Sequence, residues 1–132
     1  MAPLEYHFLR SEDRFRRGQV AYRGEYYQLP DGREAGPFGV LDYPDWVNAL
    51  ALTAEGEAVL VRQFRPGPKK VTLELPGGAV NEGEQSLADA MRRELEEETG
   101  FGRGTLTYLG DLSPNSASHT NRVHSFLVTG VE

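Results

Sequence analysis

Between Gly78 and Phe101 the chain reads GAVNEGEQSLADAMRRELEEETGF, a glycine-rich loop running into a segment with seven carboxylates and two arginines. Two guanidinium groups cannot neutralise so many acids, and the chain as a whole carries a formal net charge of −6. A hard divalent cation with oxygen ligands, Mg²⁺ first and Mn²⁺ second, supplies the countercharge that such a cluster lacks. With glycines ahead of it, the run reads as a metal site built to hold a diphosphate.

The acids must be positioned by a helix. Ser86 followed three residues later by Asp89 is a capping-box-like start with a short acid in place of the usual Glu, and Gly100 is the expected left-handed stop. These signals predict a helix over 87–99. At 100° per residue, Leu87, Ala90, Met91 and Leu95 form its apolar arc, and Glu94 and Glu98 fall within that arc or at its edge. Glu97 flanks them, while Glu96 points away as a surface charge. Like charges at i,i+3 and i,i+4, and acids at a helix C-terminus, each cost about 0.2–1 kcal/mol. A Glu-rich solvated helix end is the ordinary alternative, but such a helix does not place acids beside its buried face.

The run resembles the Nudix box: Gly, five residues, Glu, seven residues, Arg-Glu, an aliphatic, any residue, Glu-Glu, any residue, Gly, and an apolar residue. Gly78, Glu84, Arg93, Glu94, Leu95, Glu97, Glu98, Gly100 and Phe101 take those places. One departure is that eight residues, not seven, separate Glu84 from Arg93; placing the extra one at Gln85, in the loop, leaves the helix register untouched. The resemblance implies that Glu94 and Glu98 are metal ligands, that Glu97 is a further or water-mediated ligand, and that Arg93 orients the carboxylates. It also implies that the Gly77 carbonyl faces a metal. Glu97, Arg93 and Glu98 are the catalytic candidates of such a site, where bound metals would polarise phosphates and acidify a water. No thiol nucleophile is available, because the chain has no cysteine, and no Gly-x-Ser-x-Gly elbow occurs.

Length and composition fit one domain of moderate size, 132 residues with 39% hydrophobic residues. No secretory h-region or long apolar run is present, so a cytoplasmic protein without membrane association is expected. The acidic balance argues against nonspecific nucleic-acid binding. Strands are predicted at 19–29 and 33–41 around the turn Pro30-Asp31-Gly32, at 46–53 and 58–65 around Ala54-Glu55-Gly56-Glu57, at 71–75, 104–111 and 123–131. Residues 1–42 form an N-terminal antiparallel β extension, and 43–132 a core with the α+β, Nudix-type α/β/α sandwich and mixed sheet that the resemblance implies.

Further segments are similar to ADP-ribose and nucleotide-sugar pyrophosphatases of that superfamily: Asp45-Trp46-Val47-Asn48, Leu60 to Arg65, Glu74 to Gly78, and Pro114-Asn115 through His124. In that subgroup the residue at Arg65 contacts substrate phosphate; a structural ion pair is the other role open to it. Glu74 is either an organiser of the metal site or half of a strand-end salt bridge. The loop 112–122, with Pro114 and Asn115 as substrate-binding candidates, stands where the subgroup has its specificity loop, or is a plain polar connection. Tyr22, Tyr26, Tyr27, Phe38 and Trp46 are aromatic faces for an adenine, most of them better suited to core or dimer contacts. His7, His119 and His124 lack metal-ligand spacing.

The resemblance thus implies Mg²⁺-dependent hydrolysis of the pyrophosphate of a nucleoside diphosphate derivative, ADP-ribose or a related ADP-sugar, to AMP and a sugar phosphate. Two alternatives stand beside it: a Nudix-like nucleotide sensor that does not hydrolyse, and a hydrolase of oxidised nucleoside triphosphates. No organic cofactor is expected. Related pyrophosphatases continue past the last predicted strand into a glutamate-bearing loop and a final helix, which this sequence lacks. A truncated or short form, a site completed by a partner, or catalysis by Glu97 and metal-bound water alone would each account for that, and the N-terminal extension suggests a homodimer.

Overall fold

A computed structural model describes residues 5–132; the first four residues of the expected N-terminal extension lie outside that range. Among the described residues, the elements are β1 His7–Arg17, β2 Val20–Gln28, β3 Glu34–Asp42, β4 Trp46–Thr53, β5 Ala58–Val59, β6 Val61–Arg65, β7 Lys70–Glu74, β8 Gly77–Ala79, α1 Leu87–Thr99, β9 Thr105–Leu112 and β10 Val123–Val131. The chain divides into two units, one running to Pro44 and including Ser113–Asn121, the other comprising Asp45–Leu112 and Arg122–Glu132.

The first unit is an antiparallel sheet in the order β1-β2-β3. The β2–β3 turn closes where Pro30-Asp31-Gly32 predicts it, with Gly32 N donating to Leu29 O at 2.9 Å and Gly32 at φ 85°. Strand β1 carries no apolar alternation and is almost wholly exposed, so only its ladder to β2 makes it a strand. The segment 113–121 joins this sheet rather than linking its flanking strands directly. Leu41 N donates to Ser118 O at 2.7 Å, Thr120 N to Leu41 O at 3.1 Å, and Asn121 Nδ2 to Pro44 O at 3.0 Å.

In the second unit the mixed sheet runs β5-β4-β10-β9, with β8 also paired to β4. Strands β4 and β10 are parallel, Trp46 opposite Val123, while β9 and β8 pair antiparallel to their neighbours. One expected strand, 58–65, is two: the ladder breaks at Leu60, and Val61–Arg65 pairs with β7 as a separate hairpin. The short β8 was not expected, because glycines are poor strand formers.

The helix begins and ends at its predicted caps. Ser86 is extended (φ −154°, ψ 159°), its Oγ accepts from Asp89 N at 3.1 Å and donates to Asp89 Oδ2 at 2.7 Å. Gly100 sits at φ 78° and its N–H reaches Glu96 O at 2.9 Å. The apolar arc packs on β4 and β8: Ala90, Met91 and Leu95 are at most 1% exposed, against Val47, Ala49, Ala51, Phe126 and Val128. The alanines of β4 let the helix approach the sheet. It is the one α-helix among the described residues, and none of those residues forms a helix long and apolar enough to cross a membrane.

Truncating Leu95 to Ala removes a fully buried side chain from this contact and is expected to cost about 2–5 kcal/mol. Ser86→Ala removes one cap bond and is expected to cost about 1 kcal/mol. Urea denaturation of the two variants checks both values; equal losses would refute this division between core and cap.

Candidate active site

The functional side chains come from three adjoining pieces of the second unit: the last turns of α1, the Pro76–Ala79 turn and the β6–β7 hairpin. They line a cleft of about 770 Å³ that includes Trp46, Asn48, Gln63, Arg65, Glu74, Gly77, Gly78, Glu94, Glu98 and Val123. Strand alternation places Gln63 and Arg65 on one face of β6, and the cross-strand register sets Gln63 opposite Thr72.

Glu94 and Glu98 sit one helical turn apart, both half-buried, and both reach the glycine turn. Glu94 rests directly on Gly78, where an added Cβ would stand 2.5 Å from Glu94 Oε1 and 2.6 Å from Oε2. Glu98 Oε2 accepts the Gly77 N–H at 2.9 Å, and its Oε1 accepts a very short bond from Gln63 Nε2. At Gly77 itself a Cβ would meet Val47 O at 2.2 Å, so β8 can lie against β4 only with glycine there.

Arg93 is the countercharge. Its Nε donates to Glu84 Oε1 at 2.7 Å, Nη1 to Glu94 Oε1 at 2.7 Å and Glu97 Oε2 at 3.1 Å, and Nη2 to Ala79 O at 2.9 Å. The hydrogen bond that Arg93 donates to Glu84 leads the interactions that raise the Arg93 pKa, and in return Arg93 holds the Glu84 carboxyl below its usual range. The additional loop residue therefore does not detach Glu84 from its arginine. Glu97 shares Arg93 Nη1 with Glu94, but its side chain is 60% exposed and, unlike Glu94 and Glu98, it does not line the cleft.

Arg65 and Glu74 form a bidentate ion pair, Nε to Oε1 at 2.9 Å and Nη2 to Oε2 at 2.5 Å, so the structural pairing is the one present, within the cleft. The Arg65 bonds, followed by a short bond from Thr72 Oγ1, pull the Glu74 carboxyl from 4.5 to about 2. Pro114 and Asn115 lie in the first unit. There the Asn115 side chain builds a turn, its Oδ1 accepting from Ala117 N at 3.2 Å.

Among the aromatic candidates only Trp46 lines the cleft. Tyr27 and Phe38 instead border a separate pocket of the first unit with Tyr6 and Glu25, where Tyr27 Oη donates to Glu25 Oε2 at 2.5 Å. Tyr26 stacks under Arg10, whose Cζ is 3.8 Å from the ring centre. His124 bridges Asp45 and Tyr108 at 3.0 Å each, away from the cleft lining. Gln63 was not singled out in the sequence, although its i,i+2 relation to Arg65 on a strand was the available signal.

No set of three His, Cys, Asp or Glu side chains among the described residues forms a ready-made metal cage. The residues nevertheless fit a cation that keeps waters and uses one or two carboxylates plus ligand phosphates, as Mg²⁺ does. Two acids share one helical face, and the missing Cβ of Gly78 lets the Glu94 carboxylate lie against the turn.

A family model described as the NUDIX domain matches residues 42–131. The chain belongs to the Nudix family. It is 35% identical over 100 residues to an ADP-ribose pyrophosphatase of Bacillus subtilis (strain 168), covering 76% of this chain and 53% of that protein. It is 29% identical over 104 residues to a methanol dehydrogenase activator of Bacillus methanolicus, covering 79% of this chain and 55% of the relative. A segment of 55 residues, 42% of this chain and 29% of the relative, is 40% identical to the ADP compounds hydrolase NudE of Escherichia coli (strain K12). The crystal structure of an ADP compounds hydrolase shares the fold, with a TM-score of 0.86 at 21% identity, over 100% of this chain and 71% of that one. The chain spans about half the length of the first two relatives. Nudix hydrolases generally use divalent metal ions, and the α+β fold with its mixed sheet is the Nudix fold.

In the Nudix cleft, the depressed Glu74 pKa makes a pH prediction. A carboxylate lowered from 4.5 to about 2 contributes stability that is fully present above pH 4.5 and lost as the pH falls toward 2. Since Arg65 is 45% exposed, the contribution is about 1 kcal/mol or less. The melting-temperature gap between wild type and Glu74→Gln should therefore hold from pH 7 to 5 and narrow toward pH 3. A constant gap would contradict the ion-pair origin of the effect.

Proposed function

We propose that this Nudix chain hydrolyses the pyrophosphate bond of a nucleoside diphosphate linked to another moiety, ADP-ribose or a related ADP-sugar, giving AMP and a sugar phosphate. The observation that carries the proposal is the convergence of Glu94 and Glu98 on the Gly77–Gly78 turn in the same cleft as Arg65. The relatives named for ADP-ribose and ADP compounds support that substrate class.

In this reading Glu94, Glu98 and the Gly77 carbonyl hold Mg²⁺, with Mn²⁺ as a substitute. When bound, the ion supplies charge neutralisation at the bridging phosphates and a more acidic water. Arg93 keeps Glu94 from recoiling from its neighbours. Glu97, tied to Arg93 on the exposed flank, acts through that arginine or through water. Arg65 exchanges part of its pairing with Glu74 for a substrate phosphate. Water adds across one P–O–P linkage, so that one P–O bond breaks and one forms, and no covalent enzyme intermediate is needed. Trp46, which lines the cleft, belongs to the proposed substrate contacts. A homodimer is part of the same proposal, supported by the apolar side chains that β1 leaves exposed, Phe8 at 57% and Phe15 at 61%.

Incubating the protein with a panel of nucleoside diphosphate derivatives and Mg²⁺ is expected to release AMP from ADP-sugars, read by mass spectrometry. Stabilisation by ligand without any product would instead favour the sensor. Glu98→Gln should lower turnover by about 10- to 100-fold while leaving the fold intact by circular dichroism.

Gly78→Ala is expected to push the mobile Glu94 carboxylate aside, whereas Gly77→Ala strikes the rigid Val47 carbonyl and should fail on stability. Circular dichroism on both glycine variants, with turnover measured on Gly78→Ala, separates the two outcomes. A Gly78→Ala enzyme with wild-type turnover would remove Glu94 from the site.

A further inference from the structure

Resting on the metal reading above, we infer that Gln63 is the positioning residue that aims Glu98 at a divalent cation. Glu94 is hydrogen-bonded to Arg93 and so has a cationic partner. The hydrogen bonds of Glu98 come instead from neutral donors, the Gln63 amide on one oxygen and the Gly77 N–H on the other. A neutral amide fixes the orientation of a carboxylate without cancelling its charge. An arginine or lysine at position 63 would compete with the cation for the same oxygens. Each carboxylate oxygen has two acceptor sites, so both donors can stay in place while the remaining lone pairs face the cleft.

The hairpin holds Gln63 in turn. Thr72, directly opposite, shares its one Oγ1 proton between Glu74 and the Gln63 carbonyl, the latter at 3.2 Å, and the strand ladder pairs the two residues. The side-chain bond thereby ties the β6–β7 hairpin to the last turn of α1. It is also a partition. Gln63 and Glu98 line both the main cleft and a second cavity of about 430 Å³ bordered by Val59, Arg62 and Phe101. Once the amide is removed, the Glu98 carboxylate has open space on both sides, and of its hydrogen bonds only the one from the Gly77 N–H is left to orient it.

Mn²⁺ binding to the full chain without substrate, measured from the electron paramagnetic resonance of the free ion, tests this directly. Gln63→Met keeps length and bulk but loses the amide; Gln63→Leu repeats the measurement should the first variant not fold. Binding is expected to weaken by about 10- to 100-fold, the usual effect of removing a partner that orients a metal ligand. The Mn²⁺ concentration for half-maximal turnover should rise by the same factor. A merely structural role would lower the melting temperature and leave the Mn²⁺ constant unchanged.

Glu98→Gln measured alongside separates the two levels of the inference. Weak binding in Glu98→Gln with wild-type binding in both Gln63 variants would overturn the role of Gln63 alone. Wild-type Mn²⁺ binding in Glu98→Gln, or none in the wild type, would overturn the metal reading itself.

Discussion

One guanidinium group makes the acidic end of the helix tenable. Arg93 donates to Glu84, Glu94, Glu97 and the Ala79 carbonyl, and so joins the loop before the helix, the helix itself and the strand beneath it. Carboxylates spaced at i,i+3 and i,i+4 repel one another, and the C-terminal end of the macrodipole repels them further. Three of these acids gather around Arg93, whereas the hydrogen-bond donors of Glu98 are neutral and Arg65 acts on it only through space. The distribution of charge in the cleft therefore follows from which acids the arginine reaches.

The glycines are the steric counterpart of that electrostatic arrangement. Gly77 permits the backbone to lie against Val47, and Gly78 permits the Glu94 carboxylate to lie against the backbone. A side chain at the first would collide with a main-chain carbonyl that cannot move. At the second it would collide with the end of a flexible side chain. The two neighbouring residues thus serve fold and chemistry respectively.

The helix was legible because its signals are local. Ser86, Asp89 and Gly100 mark the ends, the apolar arc marks the buried face, and both are confirmed at single-residue resolution. Strands β4 and β10 were legible for the same reason, as apolar runs bounded by polar turns. What escaped was decided by pairing rather than by pattern. Strand β1 is exposed on both faces and exists through its ladder to β2, the 58–65 run splits because Val61–Arg65 finds a different partner, and Gly77–Ala79 is a strand only because β4 lies beside it. The Gln63 to Glu98 bond joins residues 35 positions apart, which no local window contains. The segment 113–121 shows the same limit: its polar composition reads as a connection, yet backbone bonds to Leu41 build it into the first unit.

The parallel ladder between β4 and β10 has a temporal consequence. A polypeptide emerges from the ribosome N-terminus first, at about 5–20 residues per second. Trp46 and its partner Val123 are far apart in that sequence of events, and β10 is the strand that sits between β4 and β9. Phe126, Val128 and Val131 supply part of the apolar floor under the helix. During translation the acidic helix is therefore made before the strand that completes its apolar seat, and its packing waits for Phe126, Val128 and Val131.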